Sequence, residues 1–551
     1  MEDKYIVAKV ERSKHVEAIL QSDSPKKVVV AGPGTGKTYL FKEILKNKKN
    51  TITLTFINAL VEDLSLELYG ISEVRTLHGF ARSILGNILK NEIKIHPKLS
   101  RYIQEDAQIL LGQDIDFNKI FHERDDKNDS LNFYENRRKY YEYYGYTDVI
   151  YAAVKCFETK NSTIPAYEQI LVDEFQDFNL LEVSLIDLLA TKSPILLAGD
   201  DDQALYQFKQ ASAQHIRDRH GEGMPEYKPF NLPFCSRCPR VIIEATTDLI
   251  TNAQENGFLK GRIKKPYSYF IDKDKDKVSD NYPAIAHSHY FEKQFSWFIE
   301  KYISDMALSI KDKFSVLIIS PYQKKSKEIV DLLRKKGFSN IEFTEKLDED
   351  SLTLLDGFNL LCEDLNDNLG WRIIARFVLS NEDFVSIIKN SASDSNKKIY
   401  ELLPRDCIKE VNEITKALKA IIAGKQESPE MLSKIFKRFN IGPYQTATEF
   451  LKLQVNSLEQ RSGIPALRKI PIKATTIQSS KGLAADVVFI THFDDRYFIK
   501  DKEKKDISDQ EICNFLVALT RAKKKVFLLS SVNEIPVFLN WISKDRIERV
   551  K

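Results

Sequence analysis

Short apolar runs recur along the chain, and each of them ends at a polar or glycine-rich turn. They lie at residues 27–30, 51–56, 169–172, 194–198, 316–320, 487–491 and 526–530. Runs of this length and composition are typical of strands buried on both faces of a parallel sheet. Because helical stretches separate the runs, the pattern predicts an α/β fold with parallel sheets.

Three longer segments between the runs have a different character. Residues of about 83–149 and about 361–470 have a mainly helical pattern, so we expect two helical insertions there. Residues 271–281 are highly charged and nearly free of large apolar side chains. We predict an exposed loop for this segment.

Composition defines a broad class of protein. The chain has 551 residues, of which 43% are hydrophobic and 29% charged, and this excludes a largely disordered protein. Its length suggests about three or four domains. The 82 Lys and Arg against 79 Asp and Glu leave a net charge of +3, which neither requires nor excludes a polyanionic partner.

Cysteine content and targeting signals bear on location. Six scattered cysteines are too few for a disulfide scaffold in so long a chain, so a reducing compartment is expected. We find no signal-peptide pattern and no apolar run long enough for a membrane helix. The expected location is the cytoplasm.

The first apolar run leads into a turn of the kind that binds phosphate. Residues 31–38 match the P-loop pattern G-x-x-x-x-G-K-[ST], except that Ala31 fills the first glycine position. Glycines there let successive backbone N–H groups point at phosphate oxygens, beside the positive end of the following helix. Lys37 can then reach the β and γ phosphates, and Thr38 can ligate Mg²⁺.

A carboxylate pair would complete a hydrolytic site. The run that ends at Val172 continues into Asp173 and Glu174. Alone, such a pair usually marks a strand leaving the core. Together with a P-loop, it indicates that Asp173 holds Mg²⁺ through water and that Glu174 accepts a proton from the attacking water.

Further motifs follow in order and resemble those of superfamily 1 helicases of the UvrD/Rep/PcrA kind. They are TFINAL (55–60), TLHGFA (76–81), VDEFQD (172–177), GDDDQALYQFKQA (199–211), LPFCSR (232–237), TTIQSSKGLAADVVFI (475–490) and VALTRAKKK (517–525). LPFCSR matches its motif poorly, whereas the ordered set spans most of the chain and is highly specific.

The resemblance implies two RecA-like parallel-sheet cores with the nucleotide between them and a mainly helical subdomain inserted in each. The expected first core is 1–82 with 150–226, and its insertion is 83–149. The expected second core is 227–360 with 471–551, and its reduced insertion is 361–470.

The resemblance also implies roles for individual residues. Positions expected to act in hydrolysis are Lys37, Glu174, Gln203, Arg237 and Arg521. The last two would supply cations from the second core, and Gln203 would sense the γ-phosphate. Positions expected to bind ATP are Ala31, Gly32, Pro33, Gly34, Thr35, Gly36, Lys37, Thr38, Asp173 and Gly482, with Thr38 and Asp173 as the Mg²⁺ ligands.

A single strand of nucleic acid needs stacking faces and backbone donors. By resemblance, these would be Phe56, Asn58, Thr76, His78, Tyr206, Phe208 and Lys209. The alternative is that the aromatic residues belong to the core and that His78 is structural.

Two other patterns remain open or negative. The tyrosine- and arginine-rich stretch 134–146 fits either a duplex-contacting face or a helix that packs through its tyrosines. Cys235 and Cys238 have zinc-like spacing, but no second pair lies at a suitable distance, so no metal is assigned to them.

Several positions depart from the family pattern. His15 stands where the family has a glutamine that reads adenine, Ser236 replaces a tyrosine that stacks on it, and Ala484 replaces a glutamate near the ribose. Gln478 replaces a histidine of the 475–490 motif. These changes predict nucleotide selectivity that is relaxed or rebuilt from other residues.

The resulting functional hypothesis is an ATP- and Mg²⁺-dependent translocase or helicase on single-stranded or partly duplex DNA, with no membrane partner. The resemblance implies movement from 3′ to 5′. Repair is one expected setting. The alternative is a helicase-like ATPase sensor subunit that activates a partner nuclease with little processive unwinding, as in Gabija-like antiphage defence.

Overall fold

The computed structural model describes residues 2–56, 58–279, 284–309, 314–338, 340–343, 352–422, 470–499, 506–532 and 534–550. Residues 423–469 of the expected second insertion therefore lie outside the described residues. None of the helices in the described ranges is both long enough and apolar enough to cross a membrane.

Strands form two large parallel sheets and one small sheet. The strands are β1 Lys26–Ala31, β2 Thr51–Thr55, β3 Glu73–Thr76, β4 Gln169–Val172, β5 Ile195–Gly199, β6 Lys228–Leu232, β7 Phe234–Cys235, β8 Ser268–Tyr269, β9 Ile285–His289, β10 Val316–Ser320, β11 Ile341–Glu342, β12 Ile472–Thr476, β13 Ala485–Ile490, β14 Ala522–Ser530 and β15 Ile547–Arg549. The first sheet has the order β3-β2-β4-β5-β1-β6, the second has the order β11-β12-β10-β13-β14-β9-β15, and β7 pairs with β8. The α/β prediction is confirmed, because six of the seven apolar runs coincide with a strand to within two residues and the seventh, 526–530, forms the second part of β14.

Helices connect the strands. They are α1 Glu2–Leu20, α2 Lys37–Leu45, α3 Asn58–Glu67, α4 Leu77–Leu89, α5 Leu99–Leu111, α6 Phe117–His122, α7 Ser130–Tyr141, α8 Tyr146–Thr159, α9 Leu180–Leu189, α10 Gln214–His220, α11 Arg240–Glu255, α12 Lys273–Ser279, α13 Phe295–Ser309, α14 Gln323–Lys335, α15 Leu354–Glu363, α16 Asn368–Val378, α17 Asn381–Ser393, α18 Arg405–Ile422, α19 Asp495–Phe498, α20 Asp509–Leu519 and α21 Val537–Asn540. Short 3₁₀ turns at Phe175–Asp177, Asp201–Gln203, Gln207–Lys209 and Gln478–Ser480 lie close to the sheets.

The first sheet brings several strand ends to one edge. Val30 pairs with Gly199, and both Leu54 and Leu197 pair with Val172, so β1, β2, β4 and β5 end at nearly the same level. Strands β1, β4 and β5 are buried along most of their length. In an open parallel sheet, ligands bind at the carboxyl edge of the strands. A ligand site is therefore expected among the segments that leave this edge.

The second sheet has its own apolar core. Ile318, Val488, Phe489 and Leu528 are fully buried, and the rings of Phe489 and Phe527 stack with their centroids 4.9 Å apart. The segments 478–484 and 519–521 lie immediately before β13 and β14, so the core of this sheet fixes their positions.

The structure corrects two expectations. Strand β6 pairs with β1 and so belongs to the first sheet, although the expected boundary placed residues after 226 in the second core. The helix α10 returns the chain to the open side of β1, where β6 satisfies backbone groups that would otherwise lack partners.

The charged segment 271–281 is not simply a loop, because Lys273–Ser279 forms α12. Buried Asp276 anchors that helix by accepting hydrogen bonds from Lys4, at 3.2 Å, and from the Tyr269 hydroxyl, at 2.7 Å.

The chain divides into two compact units. The first contains both large sheets, and the second contains helices of 81–153 together with the described helices of the second insertion. The center of the second unit is the fully buried Asp106, which accepts hydrogen bonds from Arg137 at 2.8 Å, Arg372 at 2.8 Å and Tyr141 at 2.6 Å. Helices from the two insertions thus share one ionic core.

This ionic core bears on the two alternatives for the stretch 134–146, a duplex-contacting face or a helix that packs through its tyrosines. Tyr134, Arg137, Tyr140 and Tyr141 are all buried, and Arg137 is committed to Asp106. The structure supports the packing alternative for these side chains, and they do not form a duplex-contacting face.

Candidate nucleotide and strand sites

The glycine turn connects β1 to α2 at the carboxyl edge of the first sheet. Gly34 and Gly36 have φ values of +71° and +98°, a region that glycine adopts without strain. A Cβ on Gly34 would also lie 2.3 Å from the Cβ of Arg237.

The other residues of the turn are placed as follows. Ala31 is the buried last residue of β1, where a side chain is tolerated, and Thr38 lies half-buried in the first turn of α2. The turn also contains Pro33, whose carbonyl accepts from Tyr267 at 2.9 Å, and Thr35, whose hydroxyl donates to the Gly32 carbonyl at 2.9 Å.

Lys37 faces the two predicted carboxylates. Its Nζ lies 2.6 Å from Glu174 Oε1 and 3.1 Å from Asp173 Oδ1. Burial favours the neutral amine, but the two negative charges outweigh it, so the pKa of Lys37 is raised above its usual value. The structure therefore brings these three side chains together in one charged cluster.

Glu174 is held in an unusual conformation. Its φ of +55° is rare for a residue with a side chain, and Oε2 accepts a hydrogen bond from Gln176 Nε2 at 2.7 Å. Burial would raise the pKa of Glu174, but Lys37 and Lys481 lower it below its usual range. Asp173 responds in the opposite direction, because burial raises the pKa of that carboxyl in spite of Lys37. Glu174 is therefore the carboxylate held in its charged form.

Lys481 reaches this site from the second sheet, and the sequence reasoning missed it. The buried ammonium lies 3.3 Å from Glu174 Oε2, donates to the backbone carbonyl of Gln203 at 2.8 Å and pairs with Asp177. Burial raises the pKa of Asp177 to about 6 in spite of this lysine. Its position directly before Gly482, in the motif at 475–490, is a signal from which it could have been predicted.

Two arginines also lie near this site. Arg237 follows β7, and Arg521 directly precedes β14. Arg521 is fully buried, and its Nη2 lies 3.1 Å from the side-chain oxygen of Gln203. Burial lowers the pKa of Arg521 to about 10, and repulsion from Arg237 adds to the effect. Arg237 lies against the glycine turn at Gly34. The structure thus brings Lys37, Glu174, Gln203 and the two arginines into one region.

Of the positions expected near base and ribose, His15 lines a small pocket beside this region, whereas Ser236 and Ala484 are not among its lining residues. The pocket is lined by Arg12, His15, Tyr39 and Phe234, together with Thr35 and Gly36 of the turn. The rings of His15 and Phe234 meet edge to face, with centroids 5.8 Å apart. Ser236 is bound to the turn, since its N–H donates to the Gly34 carbonyl at 2.9 Å. Gly482 has a φ of +84°, and Ala484 is half-buried just before β13.

The predicted strand-binding residues lie beyond the carboxyl ends of β2, β3 and β5. Phe56 is half-buried, and its ring centroid lies 4.8 Å from that of Tyr206 and 5.9 Å from Lys209 Nζ. Thr76 ends β3 and accepts a hydrogen bond from the N–H of Gly79 at 3.1 Å, and His78 is half-buried on α4. Asn58 and Phe208 lie in α3 and in the turn Gln207–Lys209, and their side chains are outside what the structure describes.

The residues present fit a nucleotide with a divalent cation. A lysine beside a glycine turn suits phosphate, and the hard oxygen ligands of Asp173 and Thr38 suit Mg²⁺. Asp173 is one of two buried carboxylates at a single lysine, so the site holds more acidic groups than a structural ion pair needs.

Comparison with known proteins identifies the family. A model of the UvrD/REP helicase N-terminal domain matches residues 121–222, and a model of the UvrD-like helicase C-terminal domain matches residues 245–533, more than half of the chain. The chain therefore belongs to the UvrD-like helicase family of ATP-dependent DNA helicases. The glycine turn precedes the matched residues, and its assignment rests on its own sequence and geometry.

Full-length relatives of this chain are also named as DNA helicases. A probable DNA helicase II homolog of Mycoplasma genitalium is 20% identical, covering 94% of this chain and 85% of the relative. The ATP-dependent DNA helicase PcrA of Staphylococcus epidermidis is 22% identical, covering 95% of this chain and 83% of the relative. A probable DNA helicase II homolog of Mycoplasma pneumoniae is 25% identical over 69% of this chain and 58% of its own length.

Proposed function

We propose that this protein uses ATP and Mg²⁺ to translocate 3′ to 5′ along single-stranded DNA and to open duplex ahead of it. The observation that carries the proposal is the convergence of Arg521 and Lys481, from the second sheet, on Gln203 and Glu174, from the first. A triphosphate at such a seam is hydrolysed only when both sides meet, so hydrolysis is linked to relative motion of the two cores.

Hydrolysis uses the groups of the first sheet and the two arginines. Lys37 exchanges its carboxylate partners for the β and γ phosphate oxygens, and this frees Glu174 to take a proton from the attacking water. Mg²⁺, held by Thr38 and Asp173, would neutralise charge on the phosphate oxygens. Arg237 and Arg521 stabilise the negative charge of the transferring phosphoryl group from the opposite side.

Coupling to the strand runs through one short loop. Gln203 contacts Arg521, and Tyr206, three residues further along, contacts the ring of Phe56. The backbone N–H of Leu205 between them donates to Asp177 at 3.1 Å. A change at the γ-phosphate is therefore transmitted to the stacking face over a few bonds, and alternating closure and opening moves bases past Phe56.

Strand displacement tests the direction and the activity. Opening duplex costs about 1.4 kcal/mol per base-pair step, so unwinding requires hydrolysis. We expect the purified chain to displace a strand from a duplex with a 3′ single-stranded tail, in the presence of ATP and Mg²⁺, and to fail on a matched 5′-tailed duplex. Equal displacement on both tails contradicts the direction. Hydrolysis that DNA stimulates without any displacement contradicts the helicase proposal and favours the alternative of a sensor subunit.

A further inference from the structure

Three consecutive carboxylates are buried around a single lysine at the end of β5. Lys265 Nζ lies 2.6 Å from Asp200 Oδ1, 2.5 Å from Asp201 Oδ1 and 3.0 Å from Asp202 Oδ2. The lysine side chain is 4% exposed, and it comes from the segment between α11 and β8. Like charges at this spacing, buried together, would repel strongly without a cation between them.

Two arginines complete the neutralisation. Arg262 binds Asp202 with two hydrogen bonds, of 2.7 and 2.8 Å, and Arg217 Nε lies 3.1 Å from Asp201. Three acidic and three basic side chains are thus balanced, and the cluster needs no metal ion. Two of the carboxylates, Asp201 and Asp202, are held by both lysine and arginine.

Asp200 differs because its second oxygen faces the nucleotide site. Asp200 Oδ2 accepts a hydrogen bond from Gln203 Nε2 at 2.6 Å, while Gln203 Oε1 accepts one from Arg521 Nη2 at 3.1 Å. A carboxylate can only accept and a guanidinium can only donate, so the two contacts allow one orientation of the amide. Lys265 is thus linked to Arg521 through Asp200 and Gln203.

We infer that Lys265 is a positioning residue, which holds Asp200 so that the amide nitrogen of Gln203 faces the terminal phosphate. An amide nitrogen carries two hydrogens, so it can donate to Asp200 and to a phosphate oxygen at the same time. This inference rests on the proposed function, in which Gln203 senses the γ-phosphate. Arg262 is buried in the same cluster but does not contact Asp200, so it provides a matched comparison.

The experiment compares Lys265→Met with Arg262→Met in the full chain. Affinity is measured by calorimetry for ADP and for a non-hydrolysable ATP analogue, each with Mg²⁺, and turnover is measured with saturating single-stranded DNA. Lys265→Met is expected to weaken the analogue about tenfold and ADP less than about twofold, because only the analogue carries the phosphate that Gln203 contacts. The kcat of Lys265→Met is expected to fall about tenfold or more. Arg262→Met, in contrast to Lys265→Met, is expected to keep the ratio of analogue affinity to ADP affinity within about twofold of wild type. Equal weakening of both ligands by Lys265→Met, or the same loss of discrimination in Arg262→Met, overturns the inference.

A double-variant cycle then shows whether Lys265 acts through Gln203. Adding Lys265→Met to Gln203→Ala is expected to cause little further loss, since the two residues form one path. Additive losses overturn the role of Lys265 while leaving the proposed function intact. If Gln203→Ala alone leaves strand-stimulated turnover unchanged, the sensing role of Gln203 in the proposed function fails instead. Should Lys265→Met fail to fold, Lys265→Met with Asp202→Asn restores the charge balance and gives the same readout.

Discussion

Arg521 Nη2, presented directly before a strand of the second sheet, lies 3.1 Å from the side-chain oxygen of Gln203, which follows a strand of the first sheet. Lys481 makes a parallel connection, to the Gln203 backbone carbonyl and to Glu174. Two cations from one sheet therefore contact the same loop of the other. Hydrolysis is therefore expected to depend on groups from both sheets.

Replacing Glu174 by glutamine removes the proposed base and keeps its shape. We expect Glu174→Gln to bind ATP within a few-fold of wild type and to hydrolyse it at least about 100-fold more slowly, because general base catalysis supplies a factor of that size. The measurement is steady-state phosphate release with saturating single-stranded DNA. The control is Glu182→Gln, a buried acidic residue in the capping box of α9 that should keep near-normal turnover. Normal turnover in Glu174→Gln would assign the base to another group.

Phe56 is expected to provide a stacking face for bases. Truncation in Phe56→Ala should weaken single-stranded DNA binding by about 1–3 kcal/mol, with a smaller effect on hydrolysis in the absence of DNA. Fluorescence anisotropy with a labelled oligonucleotide gives the affinity. Tyr69→Ala, at an aromatic residue that is 87% exposed, should bind as wild type does. Unchanged affinity in Phe56→Ala would place the ring in the core with Tyr206 and not at the strand.

Nucleotide selectivity should reflect the changes at His15, which lines the small pocket, and at Ser236. Because the residues expected to read adenine are replaced, we predict that ATP, GTP, CTP and dATP are hydrolysed with kcat/KM values within roughly tenfold of one another. The rates are compared at saturating DNA. A strong preference for ATP alone would show that Arg12, Tyr39 and Phe234, the other lining residues, rebuild the selectivity.

Asp106 should dominate the stability of the helical unit. Asp106→Ala leaves the buried Arg137 without a carboxylate partner and leaves Arg372 with Glu105 alone, which we expect to cost about 3–5 kcal/mol. Hydrogen exchange in α5 and α16 measures the loss. Glu135→Ala, which removes a partly exposed partner of Arg138, should cost no more than about 1 kcal/mol.

The stabilisation that Asp106 gives the helical unit should depend on pH in a defined direction. Burial alone would raise the pKa of Asp106, but Arg137 and Arg372 lower it below its usual range. An acidic group with a lowered pKa stabilises the fold above the pKa it has when unfolded and loses that effect as pH falls through its folded pKa. The penalty of Asp106→Ala should therefore persist from neutral pH to about pH 4 and shrink only at lower pH. A penalty that disappears by pH 6 would contradict the assignment.

The sequence predicted the central strands because they are buried on both faces. Runs such as Val28–Val30 have few polar side chains, whereas β6 (KPFNL) and β9 (IAHSH) contain proline or histidine and gave no such signal. They form strands because neighbouring strands pair with them: β6 with β1, and β9 between β14 and β15. Strand pairing is a long-range property, and local composition does not encode it.

The candidate site was predictable to a similar degree. The P-loop and carboxylate patterns pointed to Lys37 and Glu174, and the family resemblance pointed to Gln203 and Arg521; the fold brings these residues together. Lys481 and Lys265 were missed because a buried lysine and a surface lysine look alike in sequence. Only the three-dimensional position of their carboxylate partners distinguishes them, and those partners lie tens to hundreds of residues away.

The most direct test of a nucleotide site shared by the two sheets is single-turnover ATP hydrolysis by Arg521→Ala with saturating single-stranded DNA. An arginine that stabilises the transferring phosphoryl group contributes a factor of about 10³ or more, so we expect a loss of that size with ATP affinity nearly retained. Lys523→Ala, at an exposed lysine two residues away, should react as wild type does. Hydrolysis by Arg521→Ala at a rate within about tenfold of wild type would contradict the account.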